Sequence, residues 1–221
     1  MLLRLLLSLA LLLPLAAAAQ NEDAAPETSN PRVRMQTSLG EIVFELDEQR
    51  APKTVANFLD YVDAGHYNGT VFHRVAAGAL IQGGAYTPDL QYKPTRAPVP
   101  SESDNGLQNR RGAIAAARAP GDADSATAQF FINVVDNPDF DFSAPGDDYT
   151  RGYTVFGRVL HGLDVVDRIA AVETGARAPF AAYVPKSPVM IERVERIVTT
   201  EGEGAASDAD VATPADDRTQ S

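Results

Sequence analysis

The chain has 221 residues, with 30 acidic against 19 basic side chains, a formal net charge of −11 and no cysteine. So acidic a chain is a poor partner for nucleic acid, whose affinity rests on basic groups meeting phosphate. Without cysteine there is no disulfide framework, thiol nucleophile or thiolate metal site; stability must come from a hydrophobic core, for which one domain of ordinary length suffices.

Residues 1–19 start with Met1-Leu2-Leu3-Arg4, continue as a Leu/Ala run through Pro14 and end on Ala16 to Ala19. A positive start, an apolar centre and an Ala-x-Ala exit are the parts of a cleaved export signal. A spanning helix needs about 20 apolar residues, and the run from Leu5 to Ala19 is shorter and interrupted by proline. The expected cut follows Ala19, which makes the protein periplasmic or secreted, with no membrane attachment afterwards and, for want of a cysteine at the junction, no lipid anchor. Residues 20–31 and 201–221 are acidic, small and almost free of large apolar side chains. Such segments cannot repay the entropy of ordering, so both are expected to be disordered, leaving residues 32–200 as the domain.

Within the domain Val33, Met35 and Thr37 alternate, Leu39-Gly40 marks a turn, and Ile42, Phe44 and Leu46 alternate again. This pattern predicts a β-hairpin. Pro52 then opens a helix, where its missing N–H costs nothing. Val55, Phe58, Leu59 and Val62 give that helix one apolar stripe, and Ala64-Gly65 closes it. Short strands follow at Val71–Val75, Leu80–Gln82, Gly112–Ala117 and Gln129–Val135, with a long polar loop over 85–111. A second loop covers 136–152, and a strand runs from Tyr153 to Val159. Leu163, Val166, Ile169 and Ala170 predict a shorter helix closed near Gly175, and Val189, Ile191 and Val194 a last strand over 188–199. The fold class is therefore mainly β, an antiparallel barrel with two α-helices over its open ends.

Four colinear segments carry the chemistry. They are Ala51-Pro52-Lys53-Thr54-Val55-Ala56-Asn57-Phe58; Phe72-His73-Arg74-Val75 with Gly78 and Ile81-Gln82-Gly83-Gly84; Ala126-Thr127-Ala128-Gln129-Phe130-Phe131-Ile132-Asn133; and Val155-Phe156-Gly157-Arg158-Val159. In this order and spacing they resemble the cyclophilin family of peptidyl-prolyl cis-trans isomerases, its bacterial periplasmic branch above all. The resemblance runs from about Arg32 to Val198. It implies an eight-stranded antiparallel closed barrel capped by two helices, working as a monomer on proline-containing polypeptides, with no cofactor and no metal.

The reaction accounts for the residue types. Delocalisation of the nitrogen lone pair gives the peptide bond a rotation barrier of about 18–20 kcal/mol. In the twisted transition state that pair returns to the proline nitrogen, and a fixed donor aimed there binds the twisted form better than either planar isomer. Arg74, always charged and with several donors in a rigid fork, suits the task. By the resemblance Gln82 helps orient Arg74. Phe131, Leu80 and Phe140 take the positions of the proline pocket and Tyr153 that of its wall, Gln129 belongs to the substrate-binding motif, and the backbone at Ala117 and Arg118 pairs with the substrate main chain.

Plainer readings stand beside these. An arginine on a strand is usually solvated, and Phe131, like Phe130, sits in a run that core residues often occupy. His73 is read as structural because the reaction transfers no proton. His66 and His161 are read as surface residues, and the three histidines lack metal-site spacing. Two departures from the family pattern bear on the pocket. Ala77-Gly78-Ala79-Leu80 stands where relatives usually carry Pro-Gly-Phe-Met, so Ala79 removes a ring, and Asp139 falls near a position often aromatic, with Phe140 or Phe142 to compensate. The alternative reading is a module of the same fold that holds proline segments with little turnover.

Overall fold

The computed structural model describes residues 30–198. The expected signal, its cut after Ala19 and most of both acidic end segments lie outside the described residues.

Residues Arg32–Thr37 (β1) and Gly40–Leu46 (β2) form the first hairpin, in register from Arg32↔Glu45 to Thr37↔Gly40. Gly40 has φ +126°, the turn conformation glycine adopts without penalty. Helix α1, Pro52–Asp63, buries Val55, Phe58, Leu59 and Val62 as the stripe predicts, together with Thr54 and Tyr61. The Glu102 carboxylate, from the long loop, accepts hydrogen bonds from the Lys53 and Thr54 N–H groups at 3.0 and 2.9 Å and from Thr54 Oγ1 at 2.7 Å. An anion there satisfies donors that the first helical turn leaves open and meets the positive end of the helix dipole.

The other strands are Thr70–Val71 (β3), Arg74–Ala76 (β4), Leu80–Gly83 (β5), Ala113–Ala116 (β6), Phe130–Asn133 (β7), Val155–His161 (β8), Thr174–Arg177 (β9), Phe180–Pro185 (β10) and Met190–Ile197 (β11). Asp148–Arg151 (α2) is a single helical turn in the second loop, and Leu163–Ala170 is α3. Nine strands pair antiparallel in the order β3-β11-β1-β2-β8-β6-β7-β5-β4, and β9 pairs with β10 as a separate ribbon.

The sheet corrects the expected ring of eight closed strands. The run Val71–Val75 is two strands, β3 on β11 and β4 on β5, at opposite ends of the order. Phe72 and His73 between them are 1% and 3% exposed, Phe72 packed into the core and His73 against Tyr86 and Phe180, and the Phe72 N–H donates to the Val189 carbonyl at 3.0 Å. The curled sheet is thus carried round by two covalently linked residues rather than by a ladder.

Two further details differ. Helix α3 ends at Ala170 instead of near Gly175, and the ribbon follows it. The ribbon strands are mostly half-buried or exposed, so no alternating apolar run announces them. In α3 the buried residues are Val165, Val166 and Ile169, while Leu163 turns outward.

Inside the curl lies one large core, which includes Met35, Ile42, Phe44, Phe58, Phe72, Val75, Ile81, Ile114, Phe130, Ile132 and Phe156. A smaller cluster, Ala76, Leu80, Ala113, Ala115, Phe131 and Val155, lies on the other face of the same strands. Side chains alternate between faces along a strand. Neighbours such as Phe130 and Phe131 therefore belong to different clusters.

Candidate active site

The ladder registers place the predicted residues in one row. Arg74 on β4 lies opposite Gln82 on β5, Gln82 opposite Phe131 on β7, Phe131 opposite Ala115 on β6, and Ala115 opposite Val155 on β8. Directly paired residues share a face, so the row runs across the outer face from a cation to an apolar patch. Behind it Val75, Ile81, Ile132 and Ile114 fill the core.

At the charged end Arg74 Nη1 donates to Gln82 Oε1 at 3.2 Å, and Gln82 Nε2 donates to Gln129 Oε1 at 3.0 Å. All three side chains are half-buried. The relay holds one end of the guanidinium and leaves its remaining donors to a ligand on the open side. Gly84, just after β5, has φ +97°; a Cβ there would come within 2.7 Å of the Ala128 carbonyl, so the chain beside Gln129 approaches only because this residue has no side chain.

At the apolar end Phe131, Phe140 and Tyr153 meet edge-on, with centroids 5.9 Å apart for Phe131–Phe140, 5.3 Å for Phe131–Tyr153 and 5.3 Å for Phe140–Tyr153. Leu80 is buried beside Phe131, and Ala79 packs half-buried against the same cluster. Asp139 is exposed while Phe140 turns in. The ring missing at position 79 is therefore not replaced from 139; Phe140 supplies aromatic surface from the next position.

Buried amides fix Phe140. Asn133 Nδ2 donates to Asn109 Oδ1 and to the Ala113 carbonyl, both at 3.2 Å, and Asn137 Nδ2 donates to Asn133 Oδ1 at 2.7 Å. Asn109 Nδ2 in turn donates to the Phe140 carbonyl at 2.9 Å, which also accepts the Tyr153 N–H at 2.9 Å. The sequence reading missed this network; Asn109 lies 24 residues before Asn133, and nothing local signals that it converges with Asn133 and Asn137.

The remaining predicted residues flank the pocket. The Ala117 N–H already donates to the Gln129 carbonyl at 3.0 Å, so at that residue a substrate would meet the carbonyl. Arg118 Nε donates to the Gly152 carbonyl at 3.0 Å and its guanidinium lies 4.6 Å from the Tyr153 ring centroid, bracing the wall. A cleft of about 720 Å³ opens beyond it, lined by Arg118, Phe140, Phe142 and Tyr153 among others.

His73, next to Arg74, is 3% exposed and its Nδ1 has no hydrogen-bond partner. Burial, and secondarily the Arg74 charge, push its pKa down to about 4, against the pull of the Val71 backbone. It is neutral at neutral pH. His66 corrects the surface reading: it is half-buried, Nε2 lies 3.1 Å from the Gly84 carbonyl and its ring packs 4.7 Å from Tyr61. His161 is exposed. Among the described residues no group of His, Asp or Glu is arranged to hold a metal ion.

Comparison with known proteins places the chain in a family. The family model described as cyclophilin type peptidyl-prolyl cis-trans isomerase matches residues 32–196. The chain is 52% identical over 160 residues to peptidyl-prolyl cis-trans isomerase cyp18 of Streptomyces antibioticus, covering 72% of this chain and 95% of the relative. It is 48% identical over 163 residues to peptidyl-prolyl cis-trans isomerase B of Escherichia coli, covering 73% and 97%. It also resembles the crystal structure of a Cryptosporidium parvum cyclophilin type peptidyl-prolyl cis-trans isomerase, with TM-score 0.62 at 23% identity over 77% of this chain and 99% of that one.

Proposed function

The chain belongs to the cyclophilin-type peptidyl-prolyl cis-trans isomerases and is an enzyme that rotates X-Pro bonds; from that premise we propose that Arg74 is its transition-state donor and the Phe131 cluster its proline pocket. The observation that carries this assignment is the single row Arg74–Gln82–Phe131 on the outer face of the sheet.

A proline ring seated among Phe131, Leu80, Phe140 and Tyr153 leaves its nitrogen facing along the row toward Arg74. The pocket grips the ring in both planar isomers and in the twisted form, so it contributes binding. The guanidinium gains most when the lone pair localises, so it contributes rate. Gln82, backed by Gln129, keeps the fork turned to the groove, and the backbone at Ala117 and Arg118 sets the register of the peptide. His73 has no part in the chemistry: it is neutral, and no proton moves.

Arg74→Ala is expected to slow isomerisation on the enzyme by roughly 100- to 1,000-fold, the scale of losing one preorganised donor, with little change in affinity. Arg74→Lys does not restore the rate fully, since an ammonium lacks the planar fork. Line-shape NMR on an Ala-Pro peptide reports exchange rate and affinity together. A wild-type rate in saturated Arg74→Ala would sink the assignment and move the domain toward a proline-binding module.

The two sequence relatives named above, from Streptomyces antibioticus and Escherichia coli, are bacterial, and no helix among the described residues is long and apolar enough to cross a membrane. We further propose that the enzyme works in the periplasm or outside the cell on exported chains. The support is the signal-like run over residues 1–19. N-terminal sequencing of the exported protein is expected to begin at Gln20; a retained segment 1–19 would overturn this. Among the described residues the large apolar side chains left exposed, Tyr92, Val135, Leu163, Tyr183 and Val198, are few, which supports a working monomer.

A further inference from the structure

The β9–β10 ribbon meets the sheet at the bend between β3 and β4, beside Arg74. Its grip on that bend is aromatic. Phe180 lies 5.5 Å from the His73 ring and 5.1 Å from Tyr86, and Tyr86 lies 4.6 Å from His73. Val184 is buried in a cluster with Val71 and Leu90. Between these two anchors the ladder slips: its register shifts between Phe180 and Val184. Tyr183, in the slipped stretch, has φ 65° although it is not glycine. A bulky residue in the left-handed region is uncommon and persists where its surroundings hold it. Here that conformation goes with a half-exposed ring, and the Arg74 guanidinium carbon sits over this ring, 5.8 Å from its centroid.

We propose that Tyr183 is a positioning residue for Arg74: its ring face and the Gln82 amide together hold the guanidinium in the orientation that meets the twisted X-Pro bond. The inference rests on the assignment of Arg74 made above. A single hydrogen bond at 3.2 Å fixes one end of the arginine fork and leaves a long, flexible side chain free to swing about it. A ring over the guanidinium removes that freedom through cation–π attraction without using any N–H, so the donors stay available to the proline nitrogen. The phenol oxygen has no role in this contact; only the ring face does. The sequence carries no hint of it, because the contact joins β4 to a ribbon whose strands show no apolar alternation.

The test uses the mature protein and an Ala-Pro peptide, with affinity and on-enzyme exchange measured separately by line-shape NMR. Tyr183→Ala is expected to slow exchange by about two- to fivefold, the scale of an exposed cation–π contact, at essentially unchanged affinity. Tyr183→Phe keeps the ring and is expected to match the wild type. In an Arg74→Ala background Tyr183→Ala is expected to have no further effect. Three results overturn the inference while leaving Arg74 in place: Tyr183→Ala weakening affinity at an unchanged rate, Tyr183→Phe as slow as Tyr183→Ala, or an undiminished loss in the Arg74→Ala background. A wild-type rate for Arg74→Ala alone overturns both readings, and is distinguished by that single variant.

Discussion

Phe130 and Phe131 are chain neighbours with the same side chain, 1% and 2% exposed, yet they belong to different parts of the molecule. Phe130 packs edge-on against Phe58, Tyr67 and Phe72 in the large core, with centroids 5.9, 5.6 and 6.2 Å away. Phe131 faces outward into the small cluster, against Phe140 and Tyr153, which are themselves half-buried. The pair His73 and Arg74 divides in the same way, one turned into a closed aromatic nest and the other onto the open groove. Burial alone therefore does not separate the structural residues of this sheet from those proposed to act on substrate. What separates them is the face, which the pleat fixes once the register is known.

The sharpest way to break this comparison is to truncate the two phenylalanines in turn. Phe130→Ala is expected to destabilise the domain by about 3–5 kcal/mol, as for a large aromatic removed from a rigid core. The fraction still folded should isomerise peptide nearly normally. Phe131→Ala is expected to lose less stability, because the cost of a cavity depends on how far its lining relaxes, and Phe140 and Tyr153 border solvent. It should instead weaken peptide binding and kcat/KM together. Chemical denaturation and NMR exchange on both variants decide the matter. Equal stability losses with equal activity losses would show that the two faces are one functional unit.

The sequence showed one side of this comparison better than the other. Period-2 runs and the stripe of α1 were readable because burial writes them into consecutive residues, and Arg74, Gln82 and Phe131 stood out through family motifs. The hydrogen-bonded closure failed because nothing in Phe72-His73 announces that a five-residue strand breaks there; both residues are aromatic and buried, as strand residues often are. The β9–β10 ribbon was missed because it lies on the surface of the sheet with little burial of its own. The asparagine network behind Phe140 and the Tyr183 contact were missed because both are tertiary, joining residues from elements far apart in the chain.

The second way to sharpen the comparison uses pH on the buried partner of the His73–Arg74 pair. His73 has its pKa pushed from 6.5 to about 4 mainly by burial. Between those values the unfolded chain takes up a proton that the folded one refuses, so stability is complete above pH 6.5 and falls as the pH drops toward 4. The loss attributable to this one residue is on the order of 3 kcal/mol. His73→Phe, which keeps an aromatic ring between Tyr86 and Phe180 and removes the titrating group along with its unpaired Nδ1, is expected to flatten that part of the curve. Urea titrations of both proteins at a series of pH values between 7 and 4 measure the difference directly. Because His73 moves no proton in the reaction, the on-enzyme exchange rate of folded His73→Phe should stay near that of the wild type at pH 7. Parallel stability curves would show that His73 is charged or solvated in the native state. A flattened curve with a collapsed exchange rate at pH 7 would instead tie the buried aromatic nest to the chemistry and end the division between His73 and Arg74.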